Sequence, residues 1–289
     1  GVPRGADQCG WWRSVGKQIS NSTVMRIMQE LRIRIVIALR LAGVIPMLQW
    51  VKLEQDRKKR KKSFIPKPVP KDTHVLVVCA YYEHPEWVVE MIQSIQAQTF
   101  SNWTLVIGDD CSPKHPLQKS LSALHLGDNI ISFKAAENQG AYACRNAAIS
   151  KANEREIPWT HVTFIDPDDV AYEDWLQHAL ECIGGDEGVV RVILERWDDG
   201  LKSMKHRVLS HAPSLWSKDI WNRLGGFMDV RVAGDTEMLL RAEYAEPAVT
   251  FFRGIHPAQR CRIHAGNASQ TSLVERKKWL IERELELRN

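Results

Sequence analysis

From residue 75 onward the chain alternates short unbroken apolar runs with longer stretches in which apolar residues recur every three or four positions. Val75, Leu76, Val77, Val78 and Cys79 form a run short enough for a strand buried on both faces. Residues 85–98 then carry Trp87, Val88, Met91, Ile92 and Ile95 at helical spacing, with Pro85 suited to the first turn. The same unit recurs: strands at 104–107, 130–133 and 161–165, with helices at 116–124 and 141–151. Such alternation predicts parallel strands flanked by helices on both faces. Sheets of this kind bind ligands in the crevice beyond the carboxyl ends of their strands. Tyr81-Tyr82-Glu83, Asp109-Asp110 and the run from Asp166 to Asp169 are therefore expected at one edge.

After residue 185 the alternation weakens. Strands are predicted at 188–194 and 205–210, and a helix at 218–224 closed by Gly225-Gly226. Residues 235–244 read as a helix, 248–252 and 259–264 as strands, and 272–287 as a charged terminal helix.

Ahead of this alternation lies a different kind of chain. The apolar stretch 24–53 is interrupted by Arg26, Arg32, Arg34 and Arg40, which argues against a membrane span. Met25, Met28, Leu31, Ile35, Leu39 and Ala42 instead follow a helical stripe, and the basic run Arg57-Lys58-Lys59-Arg60-Lys61-Lys62 comes after it. Residues 63–71, with three prolines, cannot continue a helix and read as an extended linker. Three segments result: a basic helical arm and linker (1–71), a globular domain (72–271, divided at 170/171) and a C-terminal helix (272–289).

Charge sharpens the division. Residues 1–71 hold 16 Lys and Arg against 4 Asp and Glu, so a formal +4 overall conceals a cationic arm on a body of −8. An amphipathic helix with a polybasic tail is the pattern of a peripheral anchor, here residues 24–62 on the anionic inner face of the plasma membrane of a cytoplasmic protein. A helical hairpin packed on the body, with the charge run simply solvated, is the alternative. Nucleic acid is not an expected partner, because no basic run is interleaved with stacking aromatics. The six cysteines show no metal or disulfide spacing, so they read as buried thiols in a reducing compartment. A first residue Gly1 instead of Met points to a longer parent protein or to a removed tag.

The candidate chemistry is acidic. Asp166 and Asp168, either side of Pro167 at a strand end, offer hard oxygen ligands to magnesium or manganese, although Asp and Pro in a row also form ordinary turns. Asp109 and Asp110 end another strand, where a carboxylate accepts from a nucleobase or ribose, or merely caps a loop. Asn138 and Gly140 precede a helix whose Arg145 is a candidate to approach a phosphate, although taken alone it reads as a surface residue. No G-x-G-x-x-G follows any strand, which disfavours a dinucleotide oxidoreductase. The Tyr81-to-His84 loop lacks the Gly, Arg and Lys of a nucleotidyltransferase.

Taken in order, these segments resemble glycosyltransferase family 2 of the bacterial polysaccharide type. The first strand through Ala80, Tyr82 and Glu83 is similar to its base-binding element, and M-I-Q-S-I-Q-A-Q-T-F (91–100) to its E-S-I-L-x-Q-T-Y helix. Residues 108–112 resemble D-D-G-S, E-N-Q-G-A-Y-A-C-R-N (137–146) the N-x-G-x-x-x-A-R-N segment, and 166–169 the D-S-D-D metal motif. Gly225-Gly226-Phe227 is similar to G-G-F-D, and Arg262-Ile263-His264 to a terminal R-x-H. The resemblance implies a GT-A fold: α/β, a mostly parallel central sheet with helices on both faces. It implies an inverting transferase with a nucleotide-sugar donor, UDP expected, and a saccharide or lipid-linked acceptor. Ala80, Tyr82, Glu83, Asp109, Asp110, Asn138, Gly140, Arg145 and Asp166 would contact the donor. A divalent metal ion (Mn2+ or Mg2+) would sit on Asp166, Asp168 and His264. The family's G-E-D base motif reads Ala233-Gly234-Asp235, so Asp235 is the expected base and Glu237 its rival. The missing Glu leaves one alternative, a catalytically inactive scaffold that binds sugar nucleotides within a larger assembly. Trp216 and Trp221 fall in the acceptor half, where an indole stacks on a sugar or fills the core.

Overall fold

A computed structural model describes residues 44–122, 124–211, 213–266 and 273–287, together with Met28, Leu31 and Ile35. Two compact units divide the chain between Ile45 and Pro46. In the first, Met28, Leu31 and Ile35 are helical and exposed. These are three positions of the stripe predicted for the arm; Met25, Leu39 and Ala42 lie outside the described residues, as does Cys9.

Helix α1 (Val44–Ser63) carries the chain into the second unit and continues through the basic run to the start of the proline linker. Lys, Arg and Gln are good helix formers, and Arg60, Lys61 and Lys62 fall in the last turn, where the helix dipole favours cations.

The domain proper then follows as β1 (Val75–Tyr81), α2 (Pro85–Gln96), β2 (Trp103–Asp109), α3 (Leu117–Leu121), β3 (Ile130–Lys134), α4 (Ala141–Glu154), β4 (His161–Phe164), β5 (Val170–Ala171) and α5 (Trp175–Ile183). Its second half comprises β6 (Val189–Asp198), β7 (Met204–Leu209), β8 (Leu215–Ser217), α6 (Lys218–Leu224), α7 (Gly234–Glu243), β9 (Phe251–Ile263) and α8 (Leu273–Leu287).

Among the described residues the strands form one nine-stranded sheet, ordered β3-β2-β1-β4-β8-β6-β9-β5 with β7 on β6. The first four are parallel, as the alternation predicts. Beyond β4 the sheet is mixed: β8 is antiparallel to both β4 and β6, whereas β9 runs parallel to β6.

The period-two geometry of β1 explains why its run is apolar throughout. Val75, Val77, Cys79 and Tyr81 face one core with Val88, Met91, Ile92 and Ile95 of α2 and Leu176, Ala179 and Leu180 of α5. Leu76 and Val78 face the other, with Ala148 and Ile149 of α4, Trp221 of α6 and Met238 and Leu239 of α7. Each such side chain stabilises the fold by roughly 1.5–3 kcal/mol relative to exposure. Trp216 and Trp221 belong to this second core, 1% and 4% exposed, so neither offers an indole to a sugar. Cys79, Cys144, Cys182 and Cys261 are buried thiols, as expected, whereas Cys111, in the loop after β2, is only half-buried.

Two predicted strands prove to be one. β9 runs unbroken across Pro257, whose missing N–H is accommodated where the β6 pairing shifts register around Ile193. The proline linker is extended but not free. The Lys67 N–H donates to the Glu181 carbonyl at 2.9 Å, Lys67 Nζ lies 2.6 Å from Asp186, and Phe64 and Val69 pack on the first core. α1 is held too. Glu54 pairs with Arg207 at 3.0 Å, and Arg207 in turn reaches the buried Glu195 at 2.6 Å.

Candidate active site

The carboxyl ends of β1, β2 and β4 open into one crevice, and the first thing acidic residues do there is build its walls. Asp109 is buried, and its two oxygens accept the N–H groups of Ser112 (2.8 Å) and Leu117 (3.0 Å). Asp110 accepts from Gln139 (2.9 Å) and Gly140 (2.8 Å), tying the β2 loop to the start of α4. Gly140 has φ +93°, a conformation that favours glycine, and its N–H thereby points at that carboxylate. Glu83 accepts from Lys114 and His115, joining the β1 and β2 loops. Of the residues expected on the donor, Asp109, Asp110 and Glu83 thus spend their carboxylates on backbone, Asn138 donates to the Asp110 carbonyl, and Ala80 is buried in β1. Tyr82, 43% exposed, presents the one open aromatic ring of the β1 loop.

Asp166 projects from the loop after β4 with half its side chain exposed, and its carboxylate is paired with the guanidinium of Arg145, which is buried. Arg145 is sandwiched by aromatic faces: Tyr142 at 5.4 Å and Phe164 at 5.7 Å. Asp168 Oδ2 lies 2.8 Å from His264 Nε2, bringing the predicted metal motif and the terminal His together. The His264 ring rests 4.7 Å from that of Trp87. Asp169 accepts the Arg262 N–H at 3.1 Å, while the Arg262 side chain pairs with Glu90, so the end of β9 is stitched to the acidic loop and to α2. Burial, then the charges of Asp168 and Asp166, pushes Asp169 well above the usual carboxylate range. Asp166 is raised too, by the walls of the crevice first, with Arg145 pulling the other way. Arg196 of β6 faces the same loop and pulls both carboxyls back toward the charged form.

The donor chemistry of the Asp168–His264 pair, a carboxylate oxygen beside an imidazole nitrogen, suits a divalent cation. Two ligands about 2.1 Å from one ion in adjacent positions lie about 3 Å apart, which matches the spacing of Asp168 and His264. Among the described residues no three His, Cys, Asp or Glu converge into a set that could hold an ion by themselves. An ion on this pair needs further oxygens, as phosphates and water supply. Asp166 is turned to Arg145.

Asp235 stands in the first turn of α7, half-buried, and accepts the Tyr142 hydroxyl at 2.8 Å. The residue before that helix, Ala233, has φ +63°, as Glu83 (φ +58°) and Cys111 (φ +61°) do in the loops after β1 and β2. Such strained non-glycine backbone gathers at functional loops. Glu237 points elsewhere: it is fully buried, bound by Arg241 at 2.8 Å and Arg283 at 3.2 Å, which locks α7 to α8.

Sequence reasoning missed Tyr142, Trp87, Glu90 and Arg231. Tyr142 and Arg145 are three apart at the start of a helix, so they share a face, and that spacing was the available signal. Arg231 donates to Asn138 Oδ1 at 2.6 Å and closes one loop over another, a long-range contact with no local signature.

The family model described as glycosyl transferase family 2 matches residues 75–242. The chain is 30% identical over 115 residues to an uncharacterized glycosyltransferase of Rickettsia conorii, a match covering 40% of this chain and 18% of that protein. It is 28% identical over 107 residues to a Bacillus subtilis glycosyltransferase named for teichuronic acid biosynthesis, covering 37% of this chain and 40% of the relative. The matches thus span well under two thirds of either relative's length. In fold it is similar to S. aureus TarS 1–349 in complex with UDP-GlcNAc, with a TM-score of 0.58 at 15% identity over 73% of this chain and 66% of that one. The shared arrangement is the GT-A fold.

Proposed function

Because the chain belongs to glycosyl transferase family 2, we propose that it moves a sugar from a nucleotide-diphosphate donor, UDP the expected base, to a saccharide or lipid-linked saccharide acceptor by a metal-dependent, inverting displacement. The observation that carries the reading is that Arg145 and Tyr142, three apart on α4, hold Asp166 and Asp235, while Asp168 of the same loop as Asp166 meets His264. The donor class is taken from S. aureus TarS 1–349, solved in complex with UDP and with UDP-GlcNAc. The saccharide acceptor is taken from the name of the Bacillus relative.

Each residue then has a task. Tyr82 offers its ring to the base, and the backbone held by Asp110 shapes the ribose and phosphate cradle. Asp168 and His264 would hold Mn2+ or Mg2+, whose charge would offset that of a leaving diphosphate. Asp166, kept in place by Arg145, faces the donor. Asp235 takes the proton of the acceptor hydroxyl as its oxygen attacks from the face opposite the leaving group, and general-base help of this kind is worth ~10²–10⁴-fold. The basic face of α1 meets anionic lipid, keeping the enzyme peripheral; no helix among the described residues is long and apolar enough to cross a membrane.

The deciding experiment is a panel of nucleotide sugars assayed for thermal stabilisation and slow donor hydrolysis, with and without manganese. The reading expects a metal-dependent shift and measurable hydrolysis with at least one UDP-sugar. Stabilisation without any hydrolysis or transfer would favour the inactive scaffold, and no shift with any donor would sink both.

A further inference from the structure

We propose that Tyr142 is a positioning residue for the transfer step: it holds one carboxylate oxygen of Asp235 so that the other faces the crevice, a role that rests on Asp235 being the general base. The Tyr142 hydroxyl donates to Asp235 Oδ1 at 2.8 Å, and Asp235 Oδ2 has no partner among the described residues. The ring that carries this hydroxyl is fixed on three sides. A Cβ built on Gly234 would stand 2.9 Å from Cγ and 3.0 Å from Cδ2 of Tyr142, so the ring lies directly on the glycine backbone. The Phe227 ring leans against it at 5.1 Å, and the Arg145 guanidinium sits 5.4 Å from its centroid. The glycine in front of Asp235 is therefore the seat of the tyrosine, and the two positions work as a pair.

The phenol remains a donor at any working pH, because burial first and the nearby Asp235 charge second push it far above its ordinary range. Charged groups facing this corner are Arg145 of α4 and Asp166 of the β4 loop, which are paired with each other. The first turn of α4 thus sets two carboxylates at once, Tyr142 fixing Asp235 and Arg145 fixing Asp166. The Gly140 N–H, anchored on Asp110, fixes that turn in its own right.

The test is a double-mutant cycle on the intact chain with Asp235→Asn and Tyr142→Phe, reading kcat, donor KM and melting temperature. Phe keeps the ring on Gly234 and removes only the hydroxyl. Tyr142→Phe is expected to lower kcat about tenfold or more, the usual reach of a hydrogen bond to a charged group, with donor KM within about twofold and melting nearly unchanged. In the Asp235→Asn background the same change is expected to add no further loss. If Asp235→Asn is impaired while Tyr142→Phe turns over normally, or loses the same factor again in the double variant, the positioning role is overturned and the base reading stands. Full turnover in Asp235→Asn overturns the base reading and the proposal with it.

Discussion

His264 and Asp168, 96 positions apart in the chain, meet at 2.8 Å, so the last strand of the sheet closes onto the loop that follows the fourth. If the pair holds the cation, His264→Ala should weaken manganese-supported UDP binding about tenfold, and Asp168→Ala should abolish the manganese dependence altogether. Titrating manganese against UDP affinity measures both. Equal affinities with and without metal in the unaltered chain would remove the premise.

Two carboxylates of α7 should separate cleanly. Asp235→Asn is expected to cut turnover by ~10²–10⁴-fold and leave donor binding intact. Glu237→Ala should act on stability instead, by about 3 kcal/mol, since it removes the buried charge partner shared by Arg241 and Arg283 and leaves a cavity. Comparing kcat with denaturant midpoints for the two variants decides which one does chemistry.

Acid should weaken the fold through His178. Its Nε2 accepts the N–H groups of Ile255 (3.0 Å) and His256 (3.3 Å), and burial first, then His256, lowers it to about 4. The unfolded chain takes up that proton near pH 6.5, so the stabilisation is complete above that pH and is lost as pH falls toward 4, up to about 3 kcal/mol. Denaturant unfolding at pH 7.5, 6 and 5 should show the decline. His178→Gln should flatten part of the slope, and buried His161, also lowered to about 4, accounts for more in the same window.

On vesicles rich in anionic lipid, exchanging Lys58, Lys59, Lys61 and Lys62 for Glu should reduce sedimentation at least a hundredfold, with ~1 kcal/mol per basic side chain at stake. These side chains are exposed. Binding that is unchanged by the exchange, or equally strong on neutral vesicles, would reject the peripheral contact.

The parallel half of the fold was legible because β1, β2 and β4 are buried on both faces and the helices between them have clear apolar stripes. β5 and β8, at two and three residues, are too short to show a period, and α5 buries Trp175, Leu176, His178, Ala179, Leu180, Cys182 and Ile183, leaving only the narrow stripe of Gln177 and Glu181 to mark its turn. At the site, the order of the motifs singled out Asp166, Asp168, Asp235 and His264 as candidates. It did not separate carboxylates that bind backbone, such as Asp109, from those that meet other side chains. That distinction depends on which backbone N–H groups a fold brings within about 3 Å, and no local pattern encodes it.

The long strand β9 also works as a spacer. At one end Phe252 and Arg253 share a surface cavity with Arg60 and Lys67, beside the basic run of α1; at the other, the chain passes from Arg262 to His264 and the crevice. Nine residues of strand separate these ends by about 30 Å. Were the basic helix to rest on lipid, the length of β9 would set the farthest that the crevice could stand from that contact.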